Sequence, residues 1–252
     1  MKFGICTSPE YSAAVKSAGF DYLEPALVSI AAMDESELGR CKAALAVPAF
    51  SFNNFFDRDK HRLVGESVDC ALLEEYIRNA LKNAAKLGCK TAVLGSGFSR
   101  TVPDGYDRAK ALSQFRQVVI LAGKIAAEYG ITVAVEPLNH NETNLLSTFS
   151  ETAEFVRAVG MDNVGVTADF YHIAQTGEGL DGLYQNAGLL RHVHICHPGT
   201  RMMPKPGDGF DYNEFKTIFD RIGYDGLVSV EGRAQNPEQD IPLCVKALSC
   251  LM

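Results

Sequence analysis

The chain has 252 residues, 46% of them hydrophobic and 22% charged, with a formal net charge of −7. This supplies ample material for a core and lacks the composition of a disordered segment. The acidic balance, with no Lys/Arg block, excludes the clustered cationic surface that binding to nucleic acid or an anionic membrane requires.

In chain order, short β-rich runs alternate with longer helical patterns. The opening MKFGICTSPE has no apolar run behind a basic start, and no later stretch reaches the length of a membrane span, so a cytoplasmic protein is expected. KFGIC is the first strand candidate and SPEYSAAVKSAG the first helix, followed by strand DYLEPA and helix DESELGRCKAALA. Strand VPAFSF precedes the long helix ESVDCALLEEYIRNALKNAAKLG, and strand KTAVLG precedes DRAKALSQFRQVVILAGKIAAEYG. Next come TVAVEP with SETAEFVRAVG, VGVTAD with a looser region from Gly179 to Leu190, HVHIC with DYNEFKTIFDRIG, and LVSVEG with PEQDIPLCVKALSCLM. Gly19, Gly88, Gly130, Gly160 and Gly223 each follow an apolar-periodic segment, as expected where a helix closes before the next strand. Eight βα units with no Ser/Pro-rich linker predict an α/β protein built as a single (β/α)8 TIM barrel, one domain over residues 1–252.

The period of two along the C-terminal strands adds a direction to each side chain. One parity is apolar: Val133 and Val135, Val164 and Val166, Val193 and Ile195, Val228 and Val230. The other gives Thr132, Ala134, Glu136; Gly165, Thr167, Asp169; His192, His194; and Ser229, Glu231. Four adjacent strands therefore aim small or polar residues inward, and each ends on a side chain able to bind a metal. In such a barrel the C-terminal strand ends surround the active site, so Glu136, Asp169, His194 and Glu231 are expected to meet at one point. Three carboxylates and one imidazole suit Mn²⁺, Mg²⁺ or Co²⁺, with Zn²⁺ also compatible, and differ from a thiolate-rich structural zinc cage. Without a cation, three like charges so close would be driven to protonate. One divalent ion, Mn²⁺ for preference, is the expected cofactor, orienting a hydroxy-carbonyl group of a substrate and acting as a Lewis acid.

The segments EPLNHNE, DFYH, HVH and VEGR, in this order on successive strands, resemble the xylose-isomerase-like barrels, in particular the sugar isomerase/epimerase branch with the ketose 3-epimerases. GFDYLEP and GSGFSRTVPDGYDRA extend the likeness over essentially the whole chain. The resemblance implies that Glu136, Asp169, His194 and Glu231 are the metal ligands. It also implies that Glu136 and Glu231 are the catalytic acid/base pair, removing and returning a proton beside the carbonyl of a small sugar or sugar phosphate through a cis-enediolate. Glu142 and His172 match the family's substrate-binding pair, and Arg201 its cationic substrate contact, one residue further along than the family's spacing. The implied partner is a small-molecule sugar, with no nucleic acid and no membrane; a homo-oligomer is compatible with the sequence.

Other residues carry less. Glu24 has inward parity and is read either as a substrate contact or as an acid paired inside the barrel mouth. Arg100 is a candidate to meet a phosphate or carboxylate, His192 a core histidine below His194, and His61, His140 and His197 loop or surface residues. GSG at Gly95 to Gly97 lacks the spacing and lysine of a phosphate loop. Seven cysteines without a C-x-x-C pair read as reduced thiols, with Cys6 and Cys196 at strand ends where a pocket could form. There is no tryptophan, so Cys6, Phe52, Phe55 and Phe98 are the candidates to close the pocket.

Three rival readings differ in chemistry. A lyase on the same scaffold, acting on an inosose or a dehydroshikimate-like substrate, would share the proton abstraction but then expel a hydroxyl. The barrels of the endonuclease IV type need more metal ligands than six histidines and this acid set comfortably supply, and a basic DNA-facing surface that is missing. A non-catalytic sugar-binding protein would not need acids on both faces of its ligand.

Overall fold

In the computed structural model, which describes residues 1–252, all eight expected strands form and run parallel. They are β1 (Lys2–Cys6), β2 (Tyr22–Glu24), β3 (Ser51–Phe52), β4 (Thr91–Leu94), β5 (Thr132–Val135), β6 (Val164–Asp169), β7 (Leu190–Ile195) and β8 (Leu227–Val230). Pairing runs in the order β2-β1-β8-β7-β6-β5-β4-β3, and isolated parallel bridges between Leu23 and Ala49 and between Ala26 and Asn53 carry the ring from β2 towards β3. This is a (β/α)8 TIM barrel. No helix is long and apolar enough to cross a membrane.

The strand parity sets the layers. Val133, Val135, Val164, Val166, Val193, Ile195, Val228 and Val230 are all buried in one continuous apolar cluster with the helices. The polar parity fills the interior, where Thr167, His192, His194 and Ser229 are fully buried. One irregularity matters for the site. The pairing of β6 with β7 shifts by a residue between Val166 and Thr167, after which Asp169 lies directly opposite His194. Such a bulge re-aims the side chains beyond it, and here it brings two strand-end polar groups level.

The helices follow their expected order with trimmed or added ends. The long helix after β3 begins at Cys70 rather than near Glu66, because Asp69 caps it by accepting from the amides of Ala71 and Leu72. Gly19, Gly88, Gly130, Gly160 and Gly223 all have positive φ, the conformation that ends a helix where a side chain would be strained. Three short helices, Leu27–Ala31, Gly97–Arg100 and Phe170–Thr176, occupy segments that the sequence marks only as strand ends or loops. Each is too short to show a 3.6-residue period. Strands β2 and β3 are brief, and the chain beyond them stays in register through hydrogen bonds from Asn53 N to Pro25 O (3.2 Å) and from Leu27 N to Asn53 O (2.7 Å).

One glycine is required by packing at the barrel floor. Gly4 lies opposite Tyr22 in the β1–β2 register, and a Cβ at this position would fall inside the Tyr22 ring. Tyr22 is fully buried, and its hydroxyl meets Ser229 Oγ at 2.6 Å. Over-packing a filled interior costs about 1–3 kcal/mol, so Gly4→Ala should lower the melting temperature by several degrees. An unchanged melting curve would show that the floor is looser than this packing requires.

Candidate active site and metal centre

The strand ends bring together the four groups singled out in the sequence. One ligating atom each from Glu136, Asp169, His194 and Glu231 lies within 4.8 Å of all the others. Glu136 and Glu231 directly follow β5 and β8, while Asp169 and His194 lie within β6 and β7, so the quartet spans four neighbouring strands. His194 Nδ1 lies 3.0 Å from Glu136 Oε1 and 3.5 Å from Glu231 Oε2.

Asp169 divides its two oxygens between two tasks. Oδ1 caps the short helix that follows, accepting from the amides of Tyr171 (2.7 Å) and His172 (3.4 Å). Oδ2 is buried with no hydrogen-bond partner, and His172 Nε2 stands 3.6 Å away, beyond hydrogen-bond distance. An unpaired carboxylate oxygen in the interior is costly unless something electropositive faces it. The donor set of three carboxylates and one imidazole nitrogen is of the hard type that divalent Mn, Mg or Co accepts, and the orphaned oxygen points to the same group of atoms.

The electrostatics carry the same mark. Burial, reinforced by the charges of Glu231 and Glu136, pushes the Asp169 carboxyl well above its ordinary pKa. Burial also raises Glu136, with the Glu231 charge adding to it against the favourable hydrogen bond from His194. Burial acts the same way on Glu231, yet His194 and Arg201 outweigh it and hold that carboxyl low. Burial opposes a charged His194 ring, but Glu231 and Glu24 prevail and raise its pKa well above the usual value.

A second group of side chains forms the wall above the quartet. Arg201 Nη1 pairs with Glu142 Oε1, and Nη2 reaches Glu231 Oε2 at 3.5 Å. Its guanidinium stands over the Tyr171 ring at 4.9 Å. Arg201 stands in a tight turn: it has φ +58°, its amide donates to His197 O, and its carbonyl accepts from Arg233 N. His172 Nδ1 accepts from the Asn139 amide (3.1 Å) and side chain (2.9 Å), which leaves the proton on Nε2. Burial and the nearby Arg201 push His172 down to about 3, so the ring is neutral and can donate from Nε2.

Of these groups, Glu136, Glu142, Arg201 and Glu231 line a cavity of about 390 Å³ whose walls also include Phe56 and Phe98. Of the expected pocket-closing residues, Phe98 does stand at the mouth, 49% exposed. Phe52 and Phe55 are fully buried in the core instead, and Phe56 takes their place on the wall. Cys6 lies beside His194 and Glu24, whereas Cys196 is buried.

Arg100 does not face a ligand. It is completely buried, donates from Nη2 to Glu136 O at 2.8 Å and lies over the Phe115 ring at 5.4 Å. The short helix Gly97–Arg100 turns it inward, where burial lowers its pKa to about 10. His61, expected in a loop or at the surface, does lie in a loop but is buried, its ring centroid 4.1 Å from that of Tyr76 and tilted against it, with Nδ1 accepting from the Asp57 amide. His140 is exposed and His197 half-buried. Glu24 is paired inside the barrel, with both His192 and His194, and is sealed from the cavity.

Three contributors were not singled out as site residues. Asn53 Nδ2 donates to Glu231 Oε1 at 2.9 Å, and Asn139 fixes the tautomer of His172. Gly95 leaves the space that the Glu136 carboxylate occupies, since a Cβ there would collide with Oε2. The GSG segment therefore provides clearance, and only its position after β4 hinted at this.

Ligation requires deprotonated donors, and Asp169, Glu136 and His194 are all shifted upwards without a cation. Mn²⁺ binding should accordingly release protons, and its affinity should rise as pH increases through those shifted values. Calorimetry in two buffers of different ionisation enthalpy checks this; a pH-independent affinity without proton release would contradict it.

The chain is 27% identical over 223 residues to the ketose 3-epimerase of Arthrobacter globiformis, covering 86% of this chain and 74% of that protein. It is 30% identical over 122 residues to the 3-dehydro-D-guloside 4-epimerase of Escherichia coli, where the match spans less than half of either chain (46% and 45%). The crystal structure of 3-keto-D-glucoside 4-epimerase from E. coli superposes with a TM-score of 0.83 at 21% identity over 99% of both chains, a likeness of fold. The pattern defining the xylose isomerase-like TIM barrel family matches residues 12–248, so the chain belongs to that family.

Proposed function

We propose that this barrel, acting as one domain, is a divalent-metal-dependent epimerase or isomerase of a small sugar or sugar phosphate. The observation that carries the reading is the pair of carboxylates, Glu136 and Glu231, reaching one cavity from either side of Asp169 and His194. Two relatives are named for epimerisation next to a ketone: a ketose altered at C3 and a 3-dehydro sugar altered at C4. Both reactions exchange a proton on a carbon made acidic by its neighbouring carbonyl.

In this proposal Glu136, Asp169, His194 and Glu231 hold the ion, which when bound would polarise the substrate carbonyl and orient two adjacent oxygens. One of the two glutamates removes the proton from the carbon beside the carbonyl. The C–H electron pair becomes the carbon–carbon double bond, and the carbonyl oxygen takes up negative charge as a cis-enediolate. The other glutamate returns a proton; delivery to the opposite face inverts that carbon. Asn53 keeps Glu231 oriented through its 2.9 Å hydrogen bond, and the clearance at Gly95 lets Glu136 reach the cavity. Glu142, Arg201 and the Nε2–H of His172 supply one acceptor and two donors for the sugar hydroxyls and carbonyl end.

With Mn²⁺ and a panel of ketoses in D₂O, NMR should reveal solvent deuterium at the carbon beside the carbonyl and in an epimer. Glu136→Gln and Glu231→Gln should each slow that exchange by at least ~100-fold while sugar binding persists. A new alkene or enone signal would instead establish a lyase, and exchange unaffected by either substitution would remove the two glutamates from the chemistry.

A further inference from the structure

Beneath the quartet lies a polar cluster that the proposed chemistry does not use. Glu24, at the end of β2, is 0% exposed, yet three donors converge on its two oxygens. His194 Nε2 lies 3.0 Å from Oε1, His192 Nε2 lies 2.9 Å from Oε2, and the Ser229 hydroxyl also bonds Oε2. Ser229 is in turn met by the Tyr22 hydroxyl at 2.6 Å. The two imidazole rings are perpendicular, with centroids 4.8 Å apart, an edge-to-face contact.

This arrangement decides which nitrogen of His194 faces the carboxylates. A carboxylate with three donors on two oxygens serves as an acceptor, which places a proton on Nε2 of His194. When the ring is neutral, Nδ1 presents its lone pair on the other side, where Glu136 Oε1 and Glu231 Oε2 stand at 3.0 and 3.5 Å and where Asp169 Oδ2 has no hydrogen-bond partner; in the charged ring Nδ1 instead donates to Glu136, the proton that a bound cation would displace. A ring nitrogen is fixed for ligation by the hydrogen bond its other nitrogen makes.

We infer that Glu24 is the positioning residue of the metal centre: buried under the site, it locks the tautomer and rotation of His194 so that Nδ1 is the ligating atom. The inference rests on the reading of the quartet as a metal site. Ser229 and Tyr22 anchor Glu24 from below, and His192 braces it laterally. The substrate does not reach Glu24, which therefore affects the reaction only through His194.

The test uses the full-length protein and two readouts. With histidine-selective ¹⁵N labelling of the metal-free protein, at a pH where the His194 ring is neutral, the wild type should show the Nε2-protonated tautomer. Glu24→Gln should show a mixture, because an amide can present either its oxygen or its NH₂ to Nε2. Titration with Mn²⁺ alone should give ~10–100-fold weaker binding to Glu24→Gln, with a melting temperature close to wild type. If Glu24→Gln does not fold, Ser229→Ala provides the second route, since it removes one of the two donors on Glu24 Oε2 and should weaken Mn²⁺ severalfold. An unchanged tautomer together with unchanged Mn²⁺ affinity in the folded variant overturns the inference. Failure of the wild type to bind Mn²⁺ would refute the metal reading instead, and the tautomer measurement would still decide the role of Glu24.

Discussion

The constraint on which the site depends is electrostatic crowding at one rim of the barrel. Three carboxylates and an imidazole are held within 4.8 Å of each other and largely out of water. In a low-dielectric interior such a group must take up protons or a cation. The upward shifts of Asp169 and Glu136 and the raised pKa of His194 are the protonated solution to that problem. A divalent ion is the alternative, and the buried Asp169 Oδ2 without a partner indicates where it would sit.

The surrounding scaffold can be understood as what keeps the crowding in place. The bulge between Val166 and Thr167 sets Asp169 level with His194, the cap on the following helix occupies Oδ1, and Asn53 secures Glu231 from across the mouth. Arg100 works from behind, its fully buried guanidinium bound to the carbonyl of Glu136. Side chains at rigid strand ends hold their geometry better than groups on free loops, which is the property that proton transfer over short distances demands.

Much of this was legible in the sequence because a strand has a strict period of two. Once the apolar parity of Val133, Val164, Val193 and Val228 is assigned to the helical shell, Glu136, Asp169, His194 and Glu231 follow as inward groups. The order of eight strands was readable from a different signal, the alternation of short β-rich runs with longer helical patterns. Features that depend on three-dimensional neighbours were not. Arg100 looks like a loop cation until a single helical turn buries it, and His61 looks like a surface residue until it packs on Tyr76. Asn53 has no sequence pattern to mark it, and Asn139, although inside EPLNHNE, is not distinguished there by its type; the importance of both comes from partners far along the chain, Glu231 and His172. Arg201 sits in a left-handed turn that its spacing from His194 did not announce.

The most direct measurement is anomalous diffraction from crystals soaked in Mn²⁺. A single strong peak within ligating distance of Asp169 Oδ2, His194 Nδ1 and the carboxylates of Glu136 and Glu231 is the predicted result. No peak there at saturating Mn²⁺, with the four side chains still converging, would contradict the account and leave the crowding resolved by protons alone.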